Sequence, residues 1–190
     1  MKPTDPKLII LVGPSGAGKS SFLTKALEIH SELVDTTTYT TREIRAGESE
    51  GHPYHFVSTE DFERRIEDDF FVEHARVHGN YYGTPHHQIV DAHQAGQVVI
   101  MDVDVQGART FKAKFPRAIA VFILPPSVEE LRRRIQIRDQ GKTPNFELRL
   151  ENAVKEIQCA EEFDFQVVNA DFDTAFREFQ KIIEEYLKTA

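Results

Sequence analysis

The chain carries one cysteine, Cys159, no tryptophan and two methionines in 190 residues. A single thiol excludes an intrachain disulfide and suits a reducing compartment. Long apolar runs are missing: "LIILV" at 8–12 and "AIAVFIL" at 118–124 fall far short of the roughly 20 residues a membrane helix needs. The opening "MKPTDPK" has no apolar segment of the kind a secretory leader requires. Basic charge is scarce as well. Against 31 Asp and Glu stand 23 Lys and Arg, a formal net charge of -8. That balance weighs against a nucleic-acid or anionic-membrane binder, which needs a basic stripe. Repeats, low-complexity tracts and an interdomain linker are absent. What is present is 40% hydrophobic content in a single-domain length, enough for one sizeable core. These absences predict a soluble, cytoplasmic, one-domain protein.

Short apolar runs alternate with helical periodicity. Residues 8–12, 97–101, 118–124 and the "FQVVN" stretch read as buried strands. Phe22, Leu23, Ala26, Leu27 and Leu33 recur at helical spacing after Ser20. Ser58 with Asp61, and Ser127 with Glu130, carry the spacing of helix caps. A further helix is predicted over about 146–162, and a last one capped by Asp173 with Phe176, Phe179, Ile182, Ile183 and Tyr186 inward. Strand–helix alternation predicts an α/β fold, a parallel sheet with helices on both faces. The polar, β-rich stretch 37–87 reads as an insertion on that sheet.

The segment "GPSGAGKS" has the form G-x-x-x-x-G-K-[ST], with a strand before it and a helix after it. Gly13, Pro14, Ser15, Gly16, Ala17 and Gly18 make a loop whose N–H groups can turn inward on phosphate oxygens. The following helix adds positive potential from its N-terminus. Lys19 can reach the β- and γ-phosphates, and the Ser20 hydroxyl can hold Mg²⁺. Asp102 follows the apolar run "VVIM" and offers a carboxylate for the same ion, with Asp104 two residues on along the same strand face.

A second anion site is suggested by "YTTREIRAGESEGHPYHF", where Arg42 and Arg45 flank a turn and Tyr54 follows. Guanidinium forks match phosphate oxygens and a phenol adds a neutral donor. "GNYYGT" contributes Tyr81, Tyr82 and Thr84, and Glu73 stands alone among apolar neighbours in "FFVEHA". A carboxylate accepts from two adjacent donors, as guanine N1–H and N2–H₂ present; adenine offers an acceptor at N1 instead. Each residue singly is also what an exposed loop or an aromatic cluster carries. Their joint occurrence in one segment after a P-loop is what points to a site.

At this point the chain resembles guanylate kinase along almost its whole length. "GPSGAGKSS", "TTREIRAGE", "GHPYHFVS", "FVEHARVHGNYYGTP", "MDVDVQGA", "FILPPSVEEL" and "FDFQVVNADFD" occur in that family's order. The resemblance implies a nucleoside monophosphate kinase that uses ATP, GMP or dGMP, and Mg²⁺. It implies that Arg42, Arg45, Tyr54 and Tyr82 hold the GMP phosphate. Thr38, Glu73 and Thr84 would read the base, and Asp102 and Asp104 would lie by the ribose and magnesium. Arg134, Arg138 and Arg149 match the arginines of a short lid. The first two are four apart, hence on one helical face, while Arg132 and Arg133 read as a solvated surface. The implied division is a core of about 1–36, 88–133 and 150–190, a GMP-binding insertion of about 37–87 and a lid of about 134–149. The expected partners are the nucleotides alone, with no nucleic acid or membrane, in a monomer or small homo-oligomer.

Departures from the family pattern are Ile44 for a proline, His74 for a tryptophan, Asp139 for a glycine, Ala170 within "NDD", and Thr38 for a serine. None removes a charge the chemistry needs, though Asp139 places an acid among the lid arginines. His74 and His78 have helical metal-pair spacing but lack an obvious third ligand. His86 and His87 are expected in extended chain, and Cys159 in an inert helical setting. Two other readings stay open: a peptide-binding module of the same fold without catalysis, and a kinase whose acceptor is a sugar phosphate. Retention of Lys19, Ser20 and Asp102 weighs against the first, and Glu73 with its threonines against the second.

Overall fold

The computed structural model describes residues 6–45, 47–77, 79–138 and 146–189, without the side chains of Val77 and Arg138. Chain order begins with β1 (Leu8–Val12), α1 (Lys19–Ile29), β2 (Leu33–Val34), β3 (Thr38–Thr40) and β4 (Tyr54–Phe56). It continues with α2 (Thr59–Glu67), β5 (Phe71–Val77), β6 (Asn80–Pro85), α3 (His86–Gln94), β7 (Val98–Asp102) and α4 (Val105–Lys114). β8 (Ile119–Leu124), α5 (Val128–Arg138), α6 (Phe146–Ile157), β9 (Phe165–Val168) and α7 (Phe172–Lys188) complete it.

Five parallel strands form the main sheet in the order β2-β7-β1-β8-β9. β1 lies at its centre because all five of its residues are apolar and can be buried on both faces. Leu8, Ile10 and Val12 pack with Ala108 and Phe111 of α4 on one face. Ile9 and Leu11 pack on the other with Phe22 of α1 and Phe179 of α7. Phe22 stands 5.2–5.9 Å from the rings of Phe172, Phe176 and Phe179. Each such buried side chain contributes about 1.5–3 kcal/mol relative to exposure, so the packed sheet centre anchors the loops at its strand ends. No described helix is long and apolar enough to cross a membrane.

The inserted stretch makes a second sheet, β4-β3-β6-β5, with β3 and β4 parallel and the β3/β6 and β6/β5 pairs antiparallel. Phe62 of α2 stacks between Phe71 and Tyr81, at 4.4 and 5.1 Å. Gly83 is what allows this closeness, since a Cβ there would lie 2.9 Å from both Phe62 and Phe71.

Several local expectations need correction. Leu33 is not on the α1 face; α1 ends at Ile29 and Leu33 enters β2 beside Val98. The last helix is capped by Asp171, whose carboxylate accepts from the Thr174 N–H at 3.0 Å, so Asp173 lies inside the first turn. The helix expected to 162 stops at Ile157, with a separate 3₁₀ turn at Ala160–Glu162. His86 and His87 open α3 instead of lying in extended chain. Strand β7 ends at Asp102, so Asp104 shares no strand face with it; Asp104 caps α4 by accepting from Gly107 N–H at 2.7 Å. The Ser58 and Ser127 caps are present, accepting from Asp61 and Glu130 N–H at 3.0 and 3.1 Å.

Candidate active site

The loop after β1 curls because glycines stand where the backbone leaves the usual region. Gly13, Gly16 and Gly18 have φ of 140°, 91° and 103°. At Gly13 a Cβ would meet the Ile123 carbonyl at 2.4 Å, so no other residue fits. Lys19 opens α1 and its ammonium donates to the Gly13 and Pro14 carbonyls at 2.6 and 3.3 Å. The Ser20 hydroxyl donates to an Asp102 carboxylate oxygen at 3.3 Å, joining the two residues read from sequence as an ion site.

Asn169 was missed by the sequence reading. Its buried side chain donates to the Ala17 carbonyl at 2.8 Å and fixes the underside of the loop to the end of β9. The Arg134 guanidinium donates to the Asn169 carbonyl at 3.0 Å and to Glu130 at 2.8 Å. Arg133, then Arg134, hold the Glu130 carboxyl down at about 2. Arg149 of α6 reaches Ser15 of the loop at 3.4 Å. Arg132 is more than a solvated charge: it forms a two-bond pair with Glu147 at 3.1 Å, linking α5 to α6. Arg138 ends α5, and its side chain, like Asp139 and the rest of 139–145, lies outside the described residues.

The loop with Lys19 and Ser20, Arg134 and Arg149 line a cavity of about 740 Å³ together with Tyr54, Tyr82, Asp102, Asp104 and Glu156. Glu156, also unforeseen, has its carboxyl raised by burial, against the pull of Lys19. A second cavity of about 250 Å³ shares Tyr54, Tyr82, Asp102 and Asp104 and ends on Thr38, Glu73 and Thr84. Its floor follows from strand register: Glu73 pairs across from Thr84, and the β3/β6 register continues to set Thr38 opposite Thr84. Three residues distant in sequence thus form one row across three strands. Burial pushes the Glu73 carboxyl up to about 7, with Asp104 adding to the rise and Lys114 opposing it.

The acceptor-side arginines are arranged unequally. Arg42 is buried and bound by two hydrogen bonds to Glu48, at 2.9 and 3.0 Å. Its guanidinium lies 5.3 and 5.5 Å from the ring centres of Tyr54 and Phe56. Glu48 also accepts from the Arg45 backbone N–H at 2.9 Å, while the Arg45 side chain is exposed. Arg42 and Tyr54 are therefore together, but neither Arg42 nor Arg45 lines the two cavities. Glu48 was legible only as an acid three residues past Arg45. His74 lies in β5, and His78 falls outside the described residues. Among the described residues no cluster of three or more His, Cys, Asp or Glu could hold a metal.

A phosphate-cradling loop before a helix, at the carboxyl edge of a parallel sheet, with a second pocket on an inserted sheet, defines the class of P-loop phosphotransferases with a separate acceptor site. The guanylate kinase family model matches residues 5–186. The chain is 51% identical over 182 residues to the guanylate kinase of Bdellovibrio bacteriovorus, covering 95% of this chain and 98% of that one. It is 43% identical over 175 residues to that of Trichormus variabilis, covering 92% and 88%. The crystal structure of guanylate kinase from Anaplasma phagocytophilum superposes with a TM-score of 0.78 at 32% identity, covering 95% of this chain and 85% of that one. This chain belongs to the guanylate kinase family, ATP:GMP phosphotransferases.

Proposed function

We propose that this chain moves the γ-phosphate of ATP onto GMP or dGMP within the shared cavity, giving ADP and the nucleoside diphosphate. The observation that carries the assignment is the continuity of the two pockets: the wall of Tyr54 and Tyr82 faces Lys19 on one side and runs to Thr38, Glu73 and Thr84 on the other. A purine seated on Glu73 has its phosphate beside the tyrosines, next to the P-loop.

In this reading the loop N–H groups and Lys19 hold the donor phosphates. Glu73, with Thr38 and Thr84, accepts from and positions the guanine edge. Arg42, Arg45, Tyr54 and Tyr82 grip the acceptor phosphate. Its anionic oxygen attacks the γ-phosphorus as the bond to the β–γ bridging oxygen breaks, so no general base is required. Arg134, Arg138 and Arg149 compensate the charge spread over the transferring group, the main need of phosphoryl transfer.

The Ser20 hydroxyl and Asp102 carboxylate, 3.3 Å apart, are hard oxygen donors and fit Mg²⁺, which takes few protein ligands beside phosphates. When bound, the ion neutralises charge on the donor phosphates. The three-part division into core, insertion at about 37–87 and lid at about 134–149 is part of this reading. So are a cytoplasmic setting, supported by the single cysteine, and small-molecule partners alone, supported by the -8 charge. A monomer or small homo-oligomer suffices for it. ADP release measured with GMP, AMP and a panel of sugar phosphates tests the assignment. ADP formation that depends on GMP supports it; formation independent of GMP, or driven equally by a sugar phosphate, overturns it.

A further inference from the structure

The inserted sheet joins the core at two places, before β3 and at the β6–α3 junction, and one side chain bridges them. Gln88, in the first turn of α3, accepts from the Thr37 N–H at 2.7 Å and donates to the Thr37 carbonyl at 3.4 Å. The register explains why a side chain is needed there. Thr41 donates to the Tyr81 carbonyl at 3.1 Å, so hydrogen-bonded positions recur every second residue along this ladder. Continuing through Tyr39 opposite Gly83 brings Thr37 opposite Pro85. Pro85 has no N–H to give, and it is the last residue of β6, with α3 opening at His86. The primary amide of Gln88 supplies one acceptor and one donor in place of the missing strand partner.

We propose that Gln88 is a positioning residue for acceptor recognition: it holds the Thr37 backbone, and through it the Thr38 hydroxyl, against the base pocket. The inference rests on the reading of Thr38 as a base-facing group, which its place in the smaller cavity supports. Gln88 itself lines neither cavity and acts only through the strand.

The test is steady-state kinetics of Gln88→Leu, Gln88→Glu, Thr38→Val and the Thr38→Val/Gln88→Leu double variant, with GMP and MgATP varied in turn, beside thermal melts. Leaving the Thr37 backbone groups unpaired raises the GMP KM about tenfold in Gln88→Leu, with the MgATP KM unchanged and the melting temperature lowered by about a few degrees at most. Gln88→Glu keeps the acceptor for Thr37 N–H and recovers most of the loss. The double variant is no weaker for GMP than Thr38→Val alone, as two changes on one route require. An unchanged GMP KM in Gln88→Leu, or GMP and MgATP KM values rising together, overturns the proposal. If Thr38→Val is impaired and Gln88→Leu is not, the inference alone fails. If Thr38→Val behaves as wild type, the base-reading role of Thr38 fails and takes the inference with it.

Discussion

Around Lys19 the donor pocket presents main chain: glycines at positive φ, a helix N-terminus, and an ammonium already resting on two loop carbonyls. Across the cavity the acceptor wall presents side chains drawn from the four strands of the inserted sheet, and the buried arginine beside Tyr54 is already paired with Glu48. The first arrangement is rigid because its backbone has nowhere else to go, with Ile123 below Gly13 and Asn169 below Ala17. The second depends on charge partners and strand register. Preorganisation therefore comes from backbone sterics on one side and from ion pairing on the other.

Removing Lys19 breaks the donor side most completely. Lys19→Ala is expected to lower turnover by about 10²–10³, the scale of losing one preorganised charge contact. GMP binding, measured by calorimetry, stays near wild type, since that ammonium rests on the Gly13 and Pro14 carbonyls of the donor loop. Loss of GMP affinity in this variant would merge the two sites into one.

Glu73→Gln attacks the acceptor side alone. About 1–3 kcal/mol of base discrimination is expected to disappear, the value of a bidentate pair, while the MgATP KM stays put. A variant that keeps its full preference for GMP over AMP removes Glu73 from base reading. Burial pushes the same carboxyl up to about 7, above its ordinary range. GMP affinity should therefore rise with pH through about 7, as the carboxylate that accepts from guanine forms, and binding should release a proton. The stability effect has the opposite sense. Between the ordinary carboxyl range and about 7 the folded state binds more protons than the unfolded one, so this group's contribution to stability falls as pH rises. Glu73→Gln should flatten both pH profiles; a GMP titration that keeps its slope in the variant assigns that slope elsewhere.

A smaller effect is expected at Glu48. Glu48→Gln leaves the buried Arg42 charge without its carboxylate, so the loop that carries both arginines loses its anchor. The GMP KM should rise about tenfold, on the scale of an unsatisfied buried group, with the MgATP KM unchanged. Were Arg42 instead held back from substrate by Glu48, the variant would bind GMP more tightly. This measurement separates an orienting pair from an inhibitory one.

How far the site could be read in advance follows the same division. The P-loop was legible because its chemistry is contiguous: glycines, lysine and serine within eight residues, between an apolar strand and a helix. Arg42, Tyr54, Glu73 and Thr84 were legible as types but not as an arrangement. Glu48 and Gln88 were not legible as participants, since an acid in a loop and a glutamine on a helix carry no mark of the partner they will meet. Asp104 was misread because a two-residue spacing at a strand end looks the same whether the strand continues or a helix cap begins. Leu33 was misread because one apolar residue past a helix fits either period.

By itself, then, the sequence determined the layer architecture and the donor site, because both arise from local steric and periodic preferences that act within a few residues. Only the tertiary structure decided which carboxylate neutralises Arg42, that Asn169 braces the loop from 152 residues away, and that Thr38, Glu73 and Thr84 fall in one row. Those outcomes depend on strand register and on which element ends pack together. Phe62 packs over Gly83 in the strand that carries Thr84, and packing of that kind is a property of the folded chain, not of any window of its sequence.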